Sequence, residues 1–317
     1  MSQEKLLIIG GTGSLGNCII EQLNHIYKIS ILSRDENKQW LMRNKYTDID
    51  FHLGDIRNKD VLEEKFCYIK PNIIIIAAAL KQIDTCEYNI SECILTNIVG
   101  IENVVRTIFN LCNKKMLPEL KTVCYISTDK ASSPVNVYGM CKSVGERIVA
   151  EKSLMLNKPK FVIVRYGNVV NSRGSIIPLF ENIGKSEEKK FFPVTHPDMT
   201  RFFLTLEDGV NLIKKAIDEG DNGDTYIPIV NSYKIIDIAK IYSEMYNKPI
   251  KITGIRPGEK LHECLINESE KFRTIKKGDV YIIKPCYKNI DYEVDFEHEY
   301  TSCNTTDISL FKSSYIS

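Results

Sequence analysis

Short runs of β-branched and other apolar residues alternate with longer segments of three- and four-residue apolar spacing through the first half of the chain. We predict strands at the runs, which are 6–9, 29–32, 50–53, 73–77, 123–127 and 161–165. Helices are predicted between them, at 16–26, 61–68, 94–110 and 138–155. Strands that alternate with helices indicate an α/β fold with a doubly wound parallel sheet. The unbroken Ile73-Ile74-Ile75-Ile76 fits such a sheet, because parallel strands are covered on both faces.

The alternation loosens after about residue 166 into loops rich in glycine and proline. We expect a smaller, irregular α/β domain here, placed over the carboxyl ends of the strands, where open sheets bind ligands. A further helix at 206–218 is predicted to return to the sheet. The sheet domain is therefore assigned to 1–165 with 203–228, the substrate domain to 166–202 and 229–288, and a tail of unknown structure to 289–317.

Composition describes an ordinary globular chain and excludes several functions. Of 317 residues, 43% are apolar and 26% charged, and 42 basic residues nearly balance 41 acidic ones. This balance gives no reason to expect nucleic acid or a membrane surface as a partner. The longest apolar run, 73–80, is far shorter than the roughly 18 residues of a membrane span. The charged first five residues lead directly into a strand, so no secretion signal is expected.

The cysteines and histidines lack the spacing of metal sites. Ten cysteines form no C-x-x-C pair, and five histidines form no H-x-x-x-H or H-E-x-x-H motif. We therefore predict reduced thiols, no metal and a cytoplasmic protein, which we expect to be a homo-oligomer.

A glycine-rich turn follows the first predicted strand and precedes a helix. It reads Gly10-Gly11-Thr12-Gly13-Ser14-Leu15-Gly16. In this context glycine lets the backbone approach a pyrophosphate, and the helix end donates amide hydrogens to it. The turn predicts a Rossmann-type dinucleotide site, and the alternative is a turn with a structural role only.

The ends of the next strands indicate which dinucleotide binds. Ser33-Arg34-Asp35 lies where the adenosine ribose is bound, and Ser33 and Arg34 offer donors and charge for a 2′-phosphate, which favours NADP over NAD. The alternative for Arg34 is a solvated loop residue. Asp55-Ile56 and Ala77-Ala78-Ala79 fall where the adenine and the nicotinamide ribose are expected, unless the small residues serve close packing. The predicted cofactor set is completed by Lys38 and Asn97.

Tyr138 and Lys142 are four residues apart on a predicted helix and share one face. We expect the ammonium group to lower the pKa of the phenol toward neutrality, so that the phenolate accepts a proton from a sugar hydroxyl. A Y-x-x-x-K pair alone arises by chance in many helices. Joined to the glycine turn and to the strand end Ile126-Ser127-Thr128, it resembles the extended short-chain dehydrogenase/reductase family.

Longer motifs resemble a narrower group of proteins within this family. They are Ala77 to Lys81, Glu87-Tyr88-Asn89, Ser127 to Ala131, Pro134 to Gly139, Arg165 to Val170, Ser172 to Ser175, Met199 to Phe202 and Ile255 to Glu263. Together they are similar to the inverting UDP-N-acetylglucosamine 4,6-dehydratases over about 5–285. This resemblance implies an NADP-dependent lyase that converts UDP-N-acetylglucosamine to UDP-2-acetamido-2,6-dideoxy-β-L-arabino-hexos-4-ulose. The implied route is oxidation at C4, loss of water across C5 and C6, and return of the hydride to C6.

The resemblance also implies roles for particular residues. Retaining relatives have Thr-Asp-Glu where this chain has Thr128-Asp129-Lys130. Lys130 is implied as the base at C5, Asp129 as the acid toward the C6 oxygen and Thr128 as a hydrogen-bond partner of the substrate. A lysine base must be neutral, which calls for a pKa lowered by burial or by neighbouring cations. The alternative for Asp129 and Lys130 is a surface ion pair.

For the nucleotide end of the substrate, the resemblance implies Lys81, Asn168, Arg201, Arg256 and Glu259. Arg256 is the expected pyrophosphate clamp, because a guanidinium group offers paired donors to phosphate oxygens. Arg201 and Glu259 could instead be solvated or ion-paired.

Two other functions stay open from the sequence. A UDP-sugar 4-epimerase needs the same tyrosine and cofactor, but no acid and base for C5 and C6, so Asp129-Lys130 argues against it. A non-catalytic NADP-binding regulator would not need Tyr138, Lys142, Asp129 and Lys130 together.

Overall fold

A computed structural model describes residues 3–170, 174–287 and 298–315. The first half contains β1 (Glu4–Ile9), α1 (Ser14–Leu23), β2 (Tyr27–Ser33), α2 (Glu36–Lys45), β3 (Asp50–Leu53), α3 (Lys59–Ile69), β4 (Ile73–Ile76), α4 (Ile83–Tyr88), α5 (Ile90–Ile94), a π-helical segment (Leu95–Val99), α6 (Gly100–Asn113), β5 (Thr122–Ile126), a 3₁₀ turn (Asp129–Ala131), α7 (Val137–Met155) and β6 (Lys160–Val164).

The second half contains shorter elements. They are β7 (Asn168–Val169), α8 (Ile176–Lys185), β8 (Phe192–Val194), β9 (Thr200–Leu204), α9 (Leu206–Glu219), β10 (Thr225–Pro228), β11 (Ser232–Lys234), α10 (Ile235–Tyr246), β12 (Ile250–Ile252), β13 (Cys264–Ile266), α11 (Glu268–Lys271), β14 (Thr274–Lys277), β15 (Val280–Ile283), β16 (Tyr300–Thr301) and α12 (Ile308–Tyr315).

The main sheet confirms the predicted doubly wound α/β fold. Its strand order is β14-β15-β10-β6-β5-β4-β1-β2-β3, and neighbouring strands from β10 to β3 run parallel. All four isoleucines of β4 are buried, with Ile73 and Ile75 in one apolar cluster and Ile74 and Ile76 in the other. The sheet is therefore covered on both faces, as the unbroken apolar run predicts.

Helix α2 was missed by the apolar spacing because its sequence is mostly polar. Only Gln39 and Met42 of this helix are buried. Asp35 starts the helix, and its side chain accepts the backbone N–H of Lys38 at 3.0 Å. Among the described residues, no helix is long and apolar enough to cross a membrane.

In the second half of the chain, the residues that join the main sheet differ from those that the sequence assigned to it. β10 pairs in parallel with β6, and α9 packs on α1. Residues 274–283, which we expected in the substrate domain, form β14 and β15 and extend the main sheet, with β15 antiparallel to β10 and β14 antiparallel to β15. The reason is that Val280 and Ile282 are buried in one core cluster and Ile283 in another. The remaining small sheets are β11-β9-β7, β12-β8 and β13-β16.

The tail, to which the sequence assigned no fold, folds back onto the second half at residues 298–315. β16 pairs antiparallel with β13. In α12 only Phe311 is buried, and its ring contacts those of Phe203, Tyr233 and Tyr315. A single buried residue leaves no apolar period, which explains why sequence patterns do not reveal this helix.

Candidate active site

One cleft at the carboxyl ends of the parallel strands collects nearly all predicted site residues. The following line it: Gly10, Thr12, Gly13, Ser14, Leu15, Gly16, Ser33, Arg34, Asp35, Lys38, Asp55, Ile56, Ala77, Ala79, Lys81, Thr128, Lys130, Tyr138, Lys142, Asn168, Arg201, Arg256 and Glu259. Asp129 and Asn97 do not line the cleft. The motif residues Ser172 and Arg173 lie outside the described ranges.

The glycine turn has the shape of a dinucleotide cradle. Gly10 has a φ of +85°, and a Cβ there would lie 2.5 Å from the Cα of Ala78. A Cβ on Gly16 would overlap the carbonyl oxygen of Gly11. A Cβ on Gly13, by contrast, would meet nothing within 4 Å, and Gly13 is the N-cap of α1, whose first turn has no acidic residue. The residues present therefore fit a pyrophosphate at this helix end.

Two cations flank the cleft beyond β2. The Nη1 atom of Arg34 lies 4.0 Å from Oδ2 of Asp55, and the Arg34 side chain is about half exposed. The Asp35 carboxylate caps α2 and contacts the ammonium group of Lys38. The carboxylate of Asp35, which follows the end of β2, is therefore directed toward the start of α2.

Asn97 was predicted as a cofactor residue, and the structure places it elsewhere. Its carboxamide accepts the N–H of Leu80 and donates to the carbonyl of Leu80, both at 2.8 Å, and it lies 3.3 Å from Sγ of Cys93. The side chain is almost fully buried. A buried amide must satisfy its donors and acceptor, so Asn97 anchors the loop that carries Lys81.

Tyr138 lies in the first turn of α7, where Asn136 caps the helix by accepting the N–H of Gly139 at 2.7 Å. The expectation that Lys142 lowers the pKa of this phenol is wrong. Burial raises the pKa of Tyr138 to about 12, while the charge of Lys130 and a hydrogen bond with Thr128 act in the opposite direction.

Lys142 lines the cleft, but it is almost fully buried and has other partners. Its ammonium group donates to the carbonyl of Ile126 and lies 4.0 Å from the centre of the Tyr125 ring. Burial lowers the pKa of Lys142 to about 7. The amine is therefore near its titration point at neutral pH.

Asp129 follows β5 on a tight turn and is fully buried. Its Oδ1 atom accepts from Nζ of Lys130 and from Oγ1 of Thr128, both at 2.9 Å. Its Oδ2 atom has no hydrogen-bond partner among the described residues. Burial raises the pKa of Asp129, although Lys130 acts against this. A buried carboxyl group with a raised pKa is suited to act as an acid.

The expected lowering of the Lys130 pKa is wrong. Burial does act to lower it, but Asp129 and Glu263 outweigh burial and raise the pKa of Lys130 above its ordinary value. The Nζ atom is 2.9 Å from Asp129 and 3.3 Å from Glu263. A neutral Lys130 is still available if Asp129 takes the proton, because both forms of the pair hold the same number of protons.

Glu263 is a residue of the reaction centre that sequence reasoning missed. It is buried, and its Oε1 atom lies 3.3 Å from Nζ of Lys130 and 3.6 Å from Nε of Arg201. Its Oε2 atom lies 3.9 Å from Nζ of Lys260. The signal in the sequence was its place at the end of the motif Ile255 to Glu263, directly before the apolar strand β13.

At the outer rim of the cleft, Arg256 is held by two carboxylates. Its guanidinium group donates to Glu259 at 2.5 and 3.0 Å and lies 3.5 Å from Asp84. The Arg256 side chain is 57% exposed, whereas that of Glu259 is 6% exposed. Glu259 thus orients Arg256 toward the open cleft.

The doubly wound sheet, the glycine cradle and the tyrosine–lysine helix that borders the same cleft define an extended short-chain dehydrogenase/reductase. More narrowly, the chain belongs to the family described as polysaccharide biosynthesis protein, which matches residues 6–285.

Relatives named as dehydratases and as epimerases both match nearly the whole chain. A Campylobacter jejuni protein named UDP-N-acetylglucosamine 4,6-dehydratase (inverting) is 38% identical over 302 residues, covering 93% of this chain and 87% of that protein. This match confirms the resemblance inferred from the motifs. A Rickettsia canadensis protein named UDP-glucose 4-epimerase is 36% identical over 326 residues, covering 96% and 92%.

Solved structures share the fold. The structure of Pen from Bacillus thuringiensis has a TM-score of 0.87 at 31% identity and covers 98% of this chain and 96% of its own. A dTDP-glucose 4,6-dehydratase from Streptomyces venezuelae, solved with NAD bound, has a TM-score of 0.69 at 17% identity, covering 81% of this chain and 86% of its own. At that identity the likeness concerns the fold alone.

Proposed function

We propose that this protein is a UDP-N-acetylglucosamine 4,6-dehydratase that inverts C5 and forms UDP-2-acetamido-2,6-dideoxy-β-L-arabino-hexos-4-ulose. The observation that carries the proposal is the Asp129–Lys130 pair, which directly follows β5 beside Tyr138. Elimination of water across C5 and C6 needs a base at C5 and an acid at the C6 oxygen. The names of two Campylobacter jejuni relatives support this assignment.

The residues divide the proton transfers between them. Tyr138 accepts the proton of the C4 hydroxyl, and the C4 ketone that forms makes the C5 hydrogen acidic. Neutral Lys130 removes that hydrogen as a proton, while protonated Asp129 gives its proton to the C6 hydroxyl, which leaves as water. This step ends with an Asp129–Lys130 ion pair. A proton from solvent then adds to C5 from the opposite face, and Lys130 releases to solvent the proton that it took. A nicotinamide cofactor held at the glycine turn would supply the acceptor for the C4 hydride and the donor for its return to C6.

Thr128 connects the residue that gains a proton with one that loses a proton. Its hydroxyl donates to Oδ1 of Asp129 at 2.9 Å and hydrogen-bonds with Tyr138. In one turnover Tyr138 ends with an extra proton, and Asp129 has given one to water. A shift of protons along this short chain restores both groups for the next turnover.

We infer that the cofactor is NADP, because Arg34 and Lys38 present two cations at the end of β2 while Asp35 is engaged as a helix cap. Arg34→Asp is expected to weaken binding of NADP far more than binding of NAD in a fluorescence titration. Arg43→Asp makes the same charge change at a residue that does not line the cleft, and should change neither affinity. Equal losses for both cofactors in Arg34→Asp would contradict this role.

For the uridine diphosphate we propose Arg256 as the pyrophosphate clamp, with Lys81, Asn168 and Arg201 as further contacts. Glu259 supports Arg256, as its two hydrogen bonds indicate. Loss of Arg256 should raise the KM for the nucleotide sugar more than it lowers kcat, since the clamp lies at the far end from the reacting carbons.

The second candidate is a UDP-sugar 4-epimerase, which the Rickettsia relatives favour by name. The two functions differ in the product, because epimerisation keeps the C6 hydroxyl and the mass of the substrate. Incubation with UDP-N-acetylglucosamine followed by mass spectrometry should show the loss of one water. Lys130→Ala should abolish that loss and still bind the cofactor. A product of unchanged mass with altered C4 configuration would favour the epimerase.

We also propose a homo-oligomer. Exposed apolar side chains follow one another on α5, the π-helical segment and α7, which pack together. They are Ile90, Ile94, Leu95, Val99, Met140 and Val144. Burying such a surface against a second copy would be favourable. Light scattering should give a multiple of the chain mass, and Met140→Glu should reduce it.

A further inference from the structure

Ser302 lies in the tail, beyond the residues that the family matches, yet it is fully buried beside the reaction centre. Its Oγ atom accepts the N–H of Glu263 at 2.9 Å and bonds with Oγ1 of Thr200 at 2.7 Å. Its own N–H donates to the carbonyl of Glu263 at 2.8 Å. The tail thus binds both backbone groups of Glu263.

The side chain of Glu263 points the other way, into a cluster of cations. Lys130, Arg201 and Lys260 lie within 3.3 to 3.9 Å of its carboxylate oxygens. Arg201 is itself fixed, since it donates to the carbonyls of Thr200, Lys260 and Leu261. Of these cations, Lys130 is the one assigned to the chemistry at C5.

The charges keep Glu263 ionised. Burial acts to raise its pKa, but Lys130, Arg201 and Lys260 outweigh burial and lower it. Two other ionisable groups face Lys130, namely Asp129 and Tyr138. His262 precedes Glu263, and its Nδ1 atom bonds at 2.7 Å with Thr200, the residue that also bonds with Ser302.

We propose that Glu263 is a positioning residue for Lys130, and that the tail sets the place of Glu263 through Ser302. The inference deepens the proposed function and rests on it. Lys130 becomes an ammonium group when it takes the C5 proton, and a fixed carboxylate 3.3 Å from Nζ stabilises that state. Asp129 becomes a carboxylate only as this step proceeds, whereas Glu263 carries its negative charge throughout.

Glu263→Gln tests the first part, since it keeps the shape of the side chain and removes its charge. Without the negative charge of Glu263, the pKa for loss of the single proton that Asp129 and Lys130 share should be lower. The basic limb of the pH profile of kcat/KM should therefore move to lower pH by about one unit or more. The value of kcat should fall while cofactor affinity stays unchanged. In Glu263→Asp, which keeps the charge, the basic limb should lie closer to its wild-type pH. Thermal melting shows whether each variant is folded.

Ser302→Ala tests the second part. If Glu263 loses its backbone anchor, the basic limb should move in the same direction by a smaller amount, with a lower kcat. Ser313→Ala is the matched control, because Ser313 lies in the same tail on an exposed face of α12 and should behave like the wild type.

A folded Glu263→Gln variant with an unchanged basic limb would overturn the proposal, as would a Ser302→Ala variant indistinguishable from Ser313→Ala. Both results presuppose a wild-type protein that dehydrates its substrate. A wild type that forms no dehydrated product would instead refute the proposed function itself, and the inference with it.

Discussion

Tyr138 and Lys130 must each be deprotonated to act as a base, but the surroundings of each residue raise its pKa. Burial raises the pKa of Tyr138 to about 12, and two carboxylates raise the pKa of Lys130. The positive charge of Lys130 is also the strongest influence that lowers the pKa of Tyr138. We therefore expect that only the minor phenolate form of Tyr138 takes the C4 proton, as the hydride departs.

Tyr138→Phe removes the proton acceptor and keeps the ring, so the packing of the first turn of α7 is preserved. We predict that product formation falls by about a hundredfold or more, as for a lost general base. Initial rates and substrate binding should be measured together, and binding should be retained. Turnover close to that of the wild type would assign the C4 proton to another group.

Lys142 gives a prediction for stability against pH. Its pKa is lowered to about 7 in the folded protein, whereas in the unfolded chain it keeps its ordinary value of about 10.4. Between these values the unfolded state binds more protons, so this group makes folding more favourable as pH rises. Lys142→Met removes the cost of burying the ammonium group. The gain in the free energy of unfolding over the wild type should be largest at pH 7 and below, and it should shrink as the pH rises.

Thermal melts of the cofactor-free protein at several pH values would measure this gain. Lys114→Met, at a well exposed lysine, is the control for replacing a lysine by methionine at the surface. A gain for Lys142→Met that stays constant or grows with pH would show that the pKa of Lys142 is not lowered in the folded protein.

At the scale of elements, the sequence patterns predicted those helices, strands and turns whose formation depends on their own residues. Strands β1, β2, β4, β5 and β6 are visible because each buries its own apolar run, and the glycine turn because it needs its own glycines. Helix α2 is polar, β14 and β15 owe their place to an edge of the main sheet, and α12 buries one residue. Such elements depend on partners distant in the sequence, which no local pattern contains.

The docking of α12 can be tested at its one buried side chain. Phe311→Ala removes a ring that packs against Phe203, Tyr233 and Tyr315. It should lower the free energy of unfolding by about 3–5 kcal/mol, as for other buried phenylalanines. Leu310→Ala, one residue earlier on the exposed side, should have little effect in the same denaturant titration. Equal effects would mean that α12 is not held through Phe311.

At the scale of the whole molecule, the main sheet supplies the cofactor cradle and the second half closes the cleft from above. Residues 127–142 were assignable from sequence because their motif is contiguous. Glu263 was not, since it lies 133 positions after Lys130 in the sequence, and only the completed fold brings their charged atoms to 3.3 Å. The same long-range contact, together with Asp129, reverses the expected direction of the Lys130 pKa, which sequence reasoning based on burial or neighbouring cations.

The central claim is a dehydration that inverts C5, and one product analysis tests it most directly. The purified protein would be incubated with UDP-N-acetylglucosamine in deuterated water, and the first product examined by NMR before any later rearrangement. We predict the L-arabino configuration, with solvent deuterium at C5 and the former C6 hydroxyl lost. A D-xylo product, or a C5 that keeps its original hydrogen, would contradict the assignment.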